Sequence, residues 1–236
     1  MQGSMTGKIV IITGGARGLG KTMAEYMARE GAAVWVTSRK GPQPSAQEAA
    51  KPGEVREVRL EITDESSVRD LFLAADEAYG RVDVLVNNAG VGVFKSVVDT
   101  TLEEWEWIMK TNLTGLFLCT KEAFKRMQTQ GGGRIINIAS VSGYIPIQEN
   151  GAYGASKYAV RGFSDILNEE GKHHNIRIST VSPGAVWTEI WDGREGFDPA
   201  DMLKPEDVAE TVLDIARRPL HVRIDEVKIL PPKGVL

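Results

Sequence analysis

Ile9-Val10-Ile11-Ile12 runs directly into Thr13-Gly14-Gly15-Ala16-Arg17-Gly18-Leu19-Gly20, and a helical pattern starts at once. A short apolar run that passes through glycines into a helix predicts a strand, a tight turn and a helix N-terminus. Glycine lets the chain turn sharply and lets backbone N–H groups come close to an anion, and the helix start adds the positive end of its dipole. A pyrophosphate suits such a place, so Gly14, Arg17, Gly18, Leu19 and Gly20 are expected to border a bound dinucleotide. The glycines fall as G-x-x-x-G-x-G at 14, 18 and 20, not in the commoner G-x-G-x-x-G spacing.

Outward from that turn, short apolar runs alternate with helical patterns along the whole chain. Strands are expected at 8–13, 33–37, 55–61, 82–87, 134–139, 177–181 and 226–230. Several are continuous Val/Ile/Leu runs, the pattern of parallel strands covered on both faces. Val68, Leu71, Phe72, Ala75 and Tyr79 mark one face of a helix over 64–79. Thr101 with Glu104 predicts a capping box, opening a helix whose inner face takes Trp105, Ile108, Met109, Asn112 and Leu116. Ala159, Val160, Phe163, Ile166 and Leu167 mark another inner face, and Pro205 suits the first turn of a last helix. Strand–helix alternation implies right-handed crossovers. The expected architecture is therefore α/β: a three-layer, doubly wound Rossmann-type fold with a mainly parallel seven-stranded sheet, formed by one domain over residues 1–236.

A net charge of −4 disfavours nucleic acid and anionic membrane as partners. The single cysteine, Cys119, has no internal partner, which suits a reducing compartment. The first residues lack the pattern of a secretion signal, because Lys8 stands directly before the first apolar run, and a cytoplasmic location is the default expectation. No Cys/His spacing suits a metal, and no G-x-S-x-G elbow surrounds Ser140 or Ser156.

The end of the second strand bears on which dinucleotide binds. An acidic residue there would hold a ribose 2′-hydroxyl and repel a 2′-phosphate. This chain has Ser38-Arg39-Lys40 instead, with Arg17 in the glycine turn. Two guanidiniums can grip a phosphate dianion, so NADP(H) is favoured over NAD(H).

Tyr153-Gly154-Ala155-Ser156-Lys157 places a phenol and an ammonium four residues apart, on one helix face. A tyrosine titrates near pH ~10, and a neighbouring cation favours its ionised form and so lowers that value. Taken alone, the spacing describes a packed tyrosine and a solvated lysine much more often than a catalytic pair. The chain as a whole, however, resembles a compact, single-domain short-chain dehydrogenase/reductase (SDR). The landmarks occur in that family's order: the turn at 13–20, Asn87-Asn88-Ala89-Gly90, Asn112, Ser140, Tyr153 with Lys157, then Pro183-Gly184 with Thr188.

The resemblance implies a set of roles. Tyr153 would be general acid for reduction and general base for oxidation. Lys157 would lower its pKa and bind the nicotinamide ribose. Ser140 would hydrogen-bond the substrate oxygen, and Asn112 would interrupt its helix and hold a water linking Lys157 to solvent. Asn88, Ala89 and Gly90 would lie on the adenosine side. Glu61 and Ile62 would stand where the family has an Asp-Val pair near the adenine. Pro183, Gly184, Val186 and Thr188 would border the nicotinamide. A small carbonyl or alcohol substrate would lie among Phe94, Ser142, Tyr144, Ile145, Trp187, Ile190 and Trp191, and the protein would be a homodimer or homotetramer.

Two alternatives stand beside this. Trp187 and Trp191 equally suit a flap over 189–204 that packs onto the core, and that segment reads either as a lid or as a solvated connector. A nucleotide-sensing binding protein on the same fold is the rival to an enzyme, although a sensor has no need to keep Asn112, Ser140, Tyr153 and Lys157 together.

Overall fold

The computed structural model describes residues 3–189 and 198–234. Seven strands form one sheet in the order β3-β2-β1-β4-β5-β6-β7. They are β1 (Ile9–Ile12), β2 (Ala33–Ser38), β3 (Val55–Arg59), β4 (Val84–Asn87), β5 (Gly133–Ile138), β6 (Ile176–Pro183) and β7 (Glu226–Ile229). Every adjacent pair is parallel, so the sheet is entirely rather than mainly parallel. The helices are α1 (Gly18–Arg29), α2 (Glu65–Tyr79), α3 (Leu102–Met109), α4 (Leu116–Thr129), α5 (Gly151–Gly171) and α6 (Pro205–Arg217).

Because strand side chains alternate between faces, β1 feeds both cores. Val10 and Ile12 join Met23 and Met27 of α1 and Val208, Val212 and Ile215 of α6. Ile11 joins Leu71 and Phe72 of α2, Cys119 and Met127 of α4 and Leu167 of α5. Both faces are thus dry, which explains why the central strands read as unbroken apolar runs. The strand order reverses between β1 and β4, and the crevice beyond their carboxyl ends is where ligands bind in open α/β sheets.

The helix ends follow their sequence signals. Asp64 accepts from the Ser66 amide at the start of α2, and Thr101 and Glu104 form the expected capping box on α3. Two side chains depart from expectation. Trp105 is 40% and Ile166 57% exposed. Between α3 and α4 the chain makes a π-turn, Lys110–Gly115, whose wider winding rotates the later residues relative to α3. Ile108 rather than Trp105 therefore lines up with buried Asn112 and Leu116. On α5 the buried stripe runs through Ala152, Ser156, Val160, Ser164 and Leu167, leaving Ile166 on the outside. Among the described residues, no helix is long and apolar enough to cross a membrane.

Candidate active site

The glycine turn and the end of β4 are built as one unit. Thr13 Oγ1 accepts from the Asn88 and Ala89 amides at 3.0 Å each, and Asn88 Nδ2 donates back to the Thr13 and Gly14 carbonyls. Gly14 and Gly18 have φ of 66° and 51°, in the left-handed region that glycine enters without strain. Gly20 is required for space: a Cβ there would lie 2.6 Å from Asn88 Nδ2 and from the Gly14 carbonyl oxygen. The helix it opens has no side-chain N-cap and no acidic residue in its first turn. Its orphan amides and dipole therefore remain for an external anion. A dinucleotide phosphate fits that donor set. Arg17 is exposed at the N-cap position, and Leu19 packs on the α1/α6 core.

At the end of β2, Arg39 and Lys40 are exposed. The Ser38 hydroxyl accepts from the Lys40 and Gly41 amides and donates to Glu57 on β3. Glu57 meets Ser38 across a strand pair, a tie that sequence spacing does not display. Glu61, the residue standing for an aspartate, turns its carboxylate to the Thr63 hydroxyl at 2.9 Å. Ile62 is buried against the π-turn, where a Cβ on Gly115 would approach it to 2.8 Å.

The π-turn puts Asn112 under the β4 loop. Its amide clasps the Val91 backbone from both ends, Oδ1 accepting at 2.8 Å and Nδ2 donating at 2.9 Å. Nδ2 also reaches the Ser156 hydroxyl at 3.0 Å, and that hydroxyl donates to the Tyr153 carbonyl. A Cβ on Gly90 would lie 3.5 Å from Asn112 Oδ1 and 3.8 Å from Lys157 Nζ. The β4 loop, the π-turn and α5 thus meet at Lys157.

Lys157 is buried, and its Nζ donates to the Ile138 carbonyl at the end of β5 at 2.8 Å. Burial brings the ammonium pKa down to about 8. The ammonium stands 5.5 Å from the centre of the Tyr153 ring. On that ring packs Phe94, centroid to centroid 5.4 Å, and Gly92 leaves room for the pair. Ser140 follows β5 and caps a 3-10 turn, Val141–Gly143, by accepting from the Ser142 amide. The expected residues Asn112, Ser140, Tyr153 and Lys157 therefore gather at the carboxyl ends of β4 and β5. Cys119 lies in the core, where burial pushes its thiol up to about 12, which removes it as a nucleophile.

Past Pro183, the Gly184 amide donates to Ile229, and Val186 bridges to Leu203. This brings Thr188 and Glu189 to the start of α1, where a Cβ on Gly18 would lie 2.9 Å from Glu189 Oε2. Gly18, Trp187, Thr188, Glu189 and Pro205 line a 280 Å³ cavity there. Trp187 is 44% exposed, so it does not pack as a core residue. Ile190 and Trp191 lie outside the described residues. Tyr144 is engaged with β7 and α5: Lys228 Nζ and the Arg161 guanidinium stand 4.1 and 3.4 Å from its ring centre. Arg161 is in turn ion-paired to Glu226.

A parallel sheet with this strand order, an uncapped glycine turn and a tyrosine–lysine pair at its carboxyl edge define a Rossmann-type α/β protein. The chain matches the short chain dehydrogenase family over residues 8–196. It is 38% identical over 203 residues to the NADP-dependent (R)-specific alcohol dehydrogenase of Lentilactobacillus kefiri, spanning 84% of this chain and 81% of that one. It superposes on a metagenomic short-chain oxidoreductase in complex with NADP with a TM-score of 0.81 at 29% identity, over 97% of this chain and 98% of the other. A TM-score of 0.82 at 28% identity relates it to an alcohol dehydrogenase from the archaeon Thermococcus sibiricus complexed with 5-hydroxy-NADP, over 94% and 95% of the two chains. The protein is an oxidoreductase of the short-chain dehydrogenase family.

Proposed function

We propose that the protein interconverts a small carbonyl compound and its alcohol with NADP(H), on a single domain that carries both the cofactor and the substrate sites. The observation that carries this reading is the buried Lys157 ammonium beside Tyr153 on one helix face, with Asn112 and Ser140 around them. The nicotinamide supplies or accepts the hydride when bound. Tyr153 gives its phenolic proton to the carbonyl oxygen in reduction and takes it back in oxidation, while the Lys157 cation favours the phenolate left behind. The Ser140 hydroxyl donates to the same oxygen, where charge builds up in the transition state. Asn112 holds the Val91 backbone and Ser156, so it fixes the loop and helix between which Lys157 sits. Phe94 packs on the Tyr153 ring and Trp187 lines the cavity at the start of α1, and aromatic surface at these two places favours an apolar or flat substrate. The test is loss of NADPH absorbance with a panel of ketones and aldehydes. Tight NADPH binding without turnover would establish a sensor instead.

NADP(H) is preferred because Arg17 and Arg39 can pair with the 2′-phosphate, and the NADP-named relatives support that preference. Losing one charge-assisted contact costs roughly 1.5–3 kcal/mol. Arg39→Ala is therefore expected to raise the NADPH Kd by about 10- to 100-fold and the NADH Kd by less than about 3-fold. Equal changes for both cofactors, measured by titration, would remove the case for 2′-phosphate recognition.

A second copy of the chain is the proposed partner. Phe117 on α4 and Tyr158 and Ile166 on α5 are each more than two-fifths exposed, an unusual amount of large apolar surface for two helices of a free monomer. Solution scattering is expected to give the mass of a dimer or tetramer, and a monomeric profile at micromolar concentration would refute association through these helices.

A further inference from the structure

Three features next to Ser140 are unexplained by the roles assigned so far. Asn150 sits at the N-cap of α5, where asparagine ordinarily caps the helix, yet its side chain makes no cap bond. The residue before it, Glu149, has φ of 59°, a conformation that costs a non-glycine residue stability and clusters at functional sites. The Asn150 Oδ1 is buried without a hydrogen-bond partner. The helix start thus forgoes a cap, strains a residue and leaves an acceptor unsatisfied; the Asn150 backbone bridges to Lys95, and its side chain is turned to a serine. Asn150 Nδ2 donates to Ser142 Oγ at 2.9 Å, with both residues buried.

We propose that Asn150 and Ser142 are positioning residues that aim the Ser140 hydroxyl proton at the substrate oxygen. The proposal rests on the carbonyl-reduction reading above. The Ser140 hydroxyl donates to the Ser142 oxygen at 3.3 Å, and a hydroxyl proton can rotate to another acceptor, since each hydroxyl has one proton to give and two lone pairs to fill. Ser140 Oγ already accepts from the Ser142 amide at 3.2 Å. Ser142 Oγ accepts from Asn150, so its own proton is free to turn to Ser140. When a substrate oxygen draws the Ser140 proton away from Ser142, Ser142 donates in turn; both lone pairs of Ser140 are then filled, and its proton has the incoming oxygen as its outlet. The series runs from the Asn150 amide to Ser142, from Ser142 to Ser140, and from Ser140 to the substrate. Each bond polarises the next, so the last one strengthens as the oxygen gains charge.

The test is steady-state kinetics with NADPH and a carbonyl turned over by the wild type, with Tm measured in parallel. Ser142→Ala and Asn150→Ala are each expected to lower kcat about tenfold and move KM by less than about threefold, because the contact matters most in the transition state. The double variant is expected to lose no more than Ser142→Ala alone, since the two act in series. Ser142→Thr, which keeps the hydroxyl, should stay within about threefold of wild type. Asn150→Ala also removes the unpartnered buried oxygen, so Tm is expected to hold; a merely structural role would lower Tm and spare kcat. Unchanged kcat in both single variants, or losses that multiply in the double variant, would overturn the relay. So would wild-type kcat in Asn150→Leu, which has a similar size and no donor. A wild type inert toward every carbonyl would overturn the functional reading and the relay together, whereas an active wild type with indifferent variants overturns the relay alone.

Discussion

Tyr153→Phe is expected to lower kcat by about 10³-fold, the middle of the range for removing a general acid from its reacting atom, while NADPH affinity stays within a few-fold of wild type. The change deletes one oxygen and keeps the ring that packs against Phe94 at 5.4 Å. The Tyr153 backbone carbonyl still accepts from Ser156, which still meets Asn112, so the π-turn, the β4 loop and α5 keep their mutual positions. The glycine turn and its bonds to Asn88 lie on other elements and are untouched. Loss of rate without loss of binding is the signature of a group that acts only in the transition state. The measurement is kcat from NADPH oxidation alongside a direct NADPH titration. A variant that kept more than about a tenth of the wild-type rate would show that another group moves the proton.

The fold was legible because burial writes itself locally. Ile9–Ile12, Val84–Asn87 and Gly133–Ile138 are covered on both faces, so each appears as a run that needs no distant partner to interpret. Caps are equally local: Thr101 with Glu104, and Pro205 with Asp207, lie within one turn of each other. The site was legible in its members, through the resemblance, more than in its connections. Periodicity took the helix through Trp105 and Asn112 as continuous, and only the π-turn shows how its phase shifts. The resemblance implies that Tyr144 lies beside substrate; what the sequence does not display is that Arg161 and Lys228, from α5 and β7, lie against its ring. Asn150 and Glu57 carried no signal at all. An asparagine before a helix reads as a cap, and a glutamate in an edge strand reads as solvated charge, until the chain folds and Ser142 and Ser38 arrive beside them.

Lys157→Met is expected to abolish most turnover and yet make the cofactor-free protein more stable at neutral pH. Among the described residues nothing acidic offsets the burial of the ammonium: its Nζ has the Ile138 carbonyl as its hydrogen-bond acceptor, and its pKa stands at about 8 against an ordinary 10.5. At about 1.4 kcal/mol per tenfold change in acidity, holding this proton costs the folded state about 3 kcal/mol near pH 7. Methionine has a similar length, needs no solvation and carries no charge to bury. It leaves the Ile138 carbonyl unpaired, which gives back about 1–2 kcal/mol. The net gain of about 1–2 kcal/mol corresponds to a Tm rise of about 2–8 °C in a chain of this size. The sign with pH follows from linkage. The folded pKa lies below the unfolded one, so between about pH 8 and 10.5 the unfolded chain binds more protons, and wild-type stability climbs with pH across that window. The advantage of methionine is therefore full below about pH 8 and gone above about pH 10.5, while kcat stays down by at least ~100-fold throughout because no cation favours the Tyr153 phenolate. Thermal unfolding of both proteins from pH 7 to pH 10.5 decides the matter. A variant less stable than wild type at pH 7 would mean that the lysine is comfortably solvated or paired where it sits, and an ammonium so placed is no longer the poised charge on which proton transfer by Tyr153 depends.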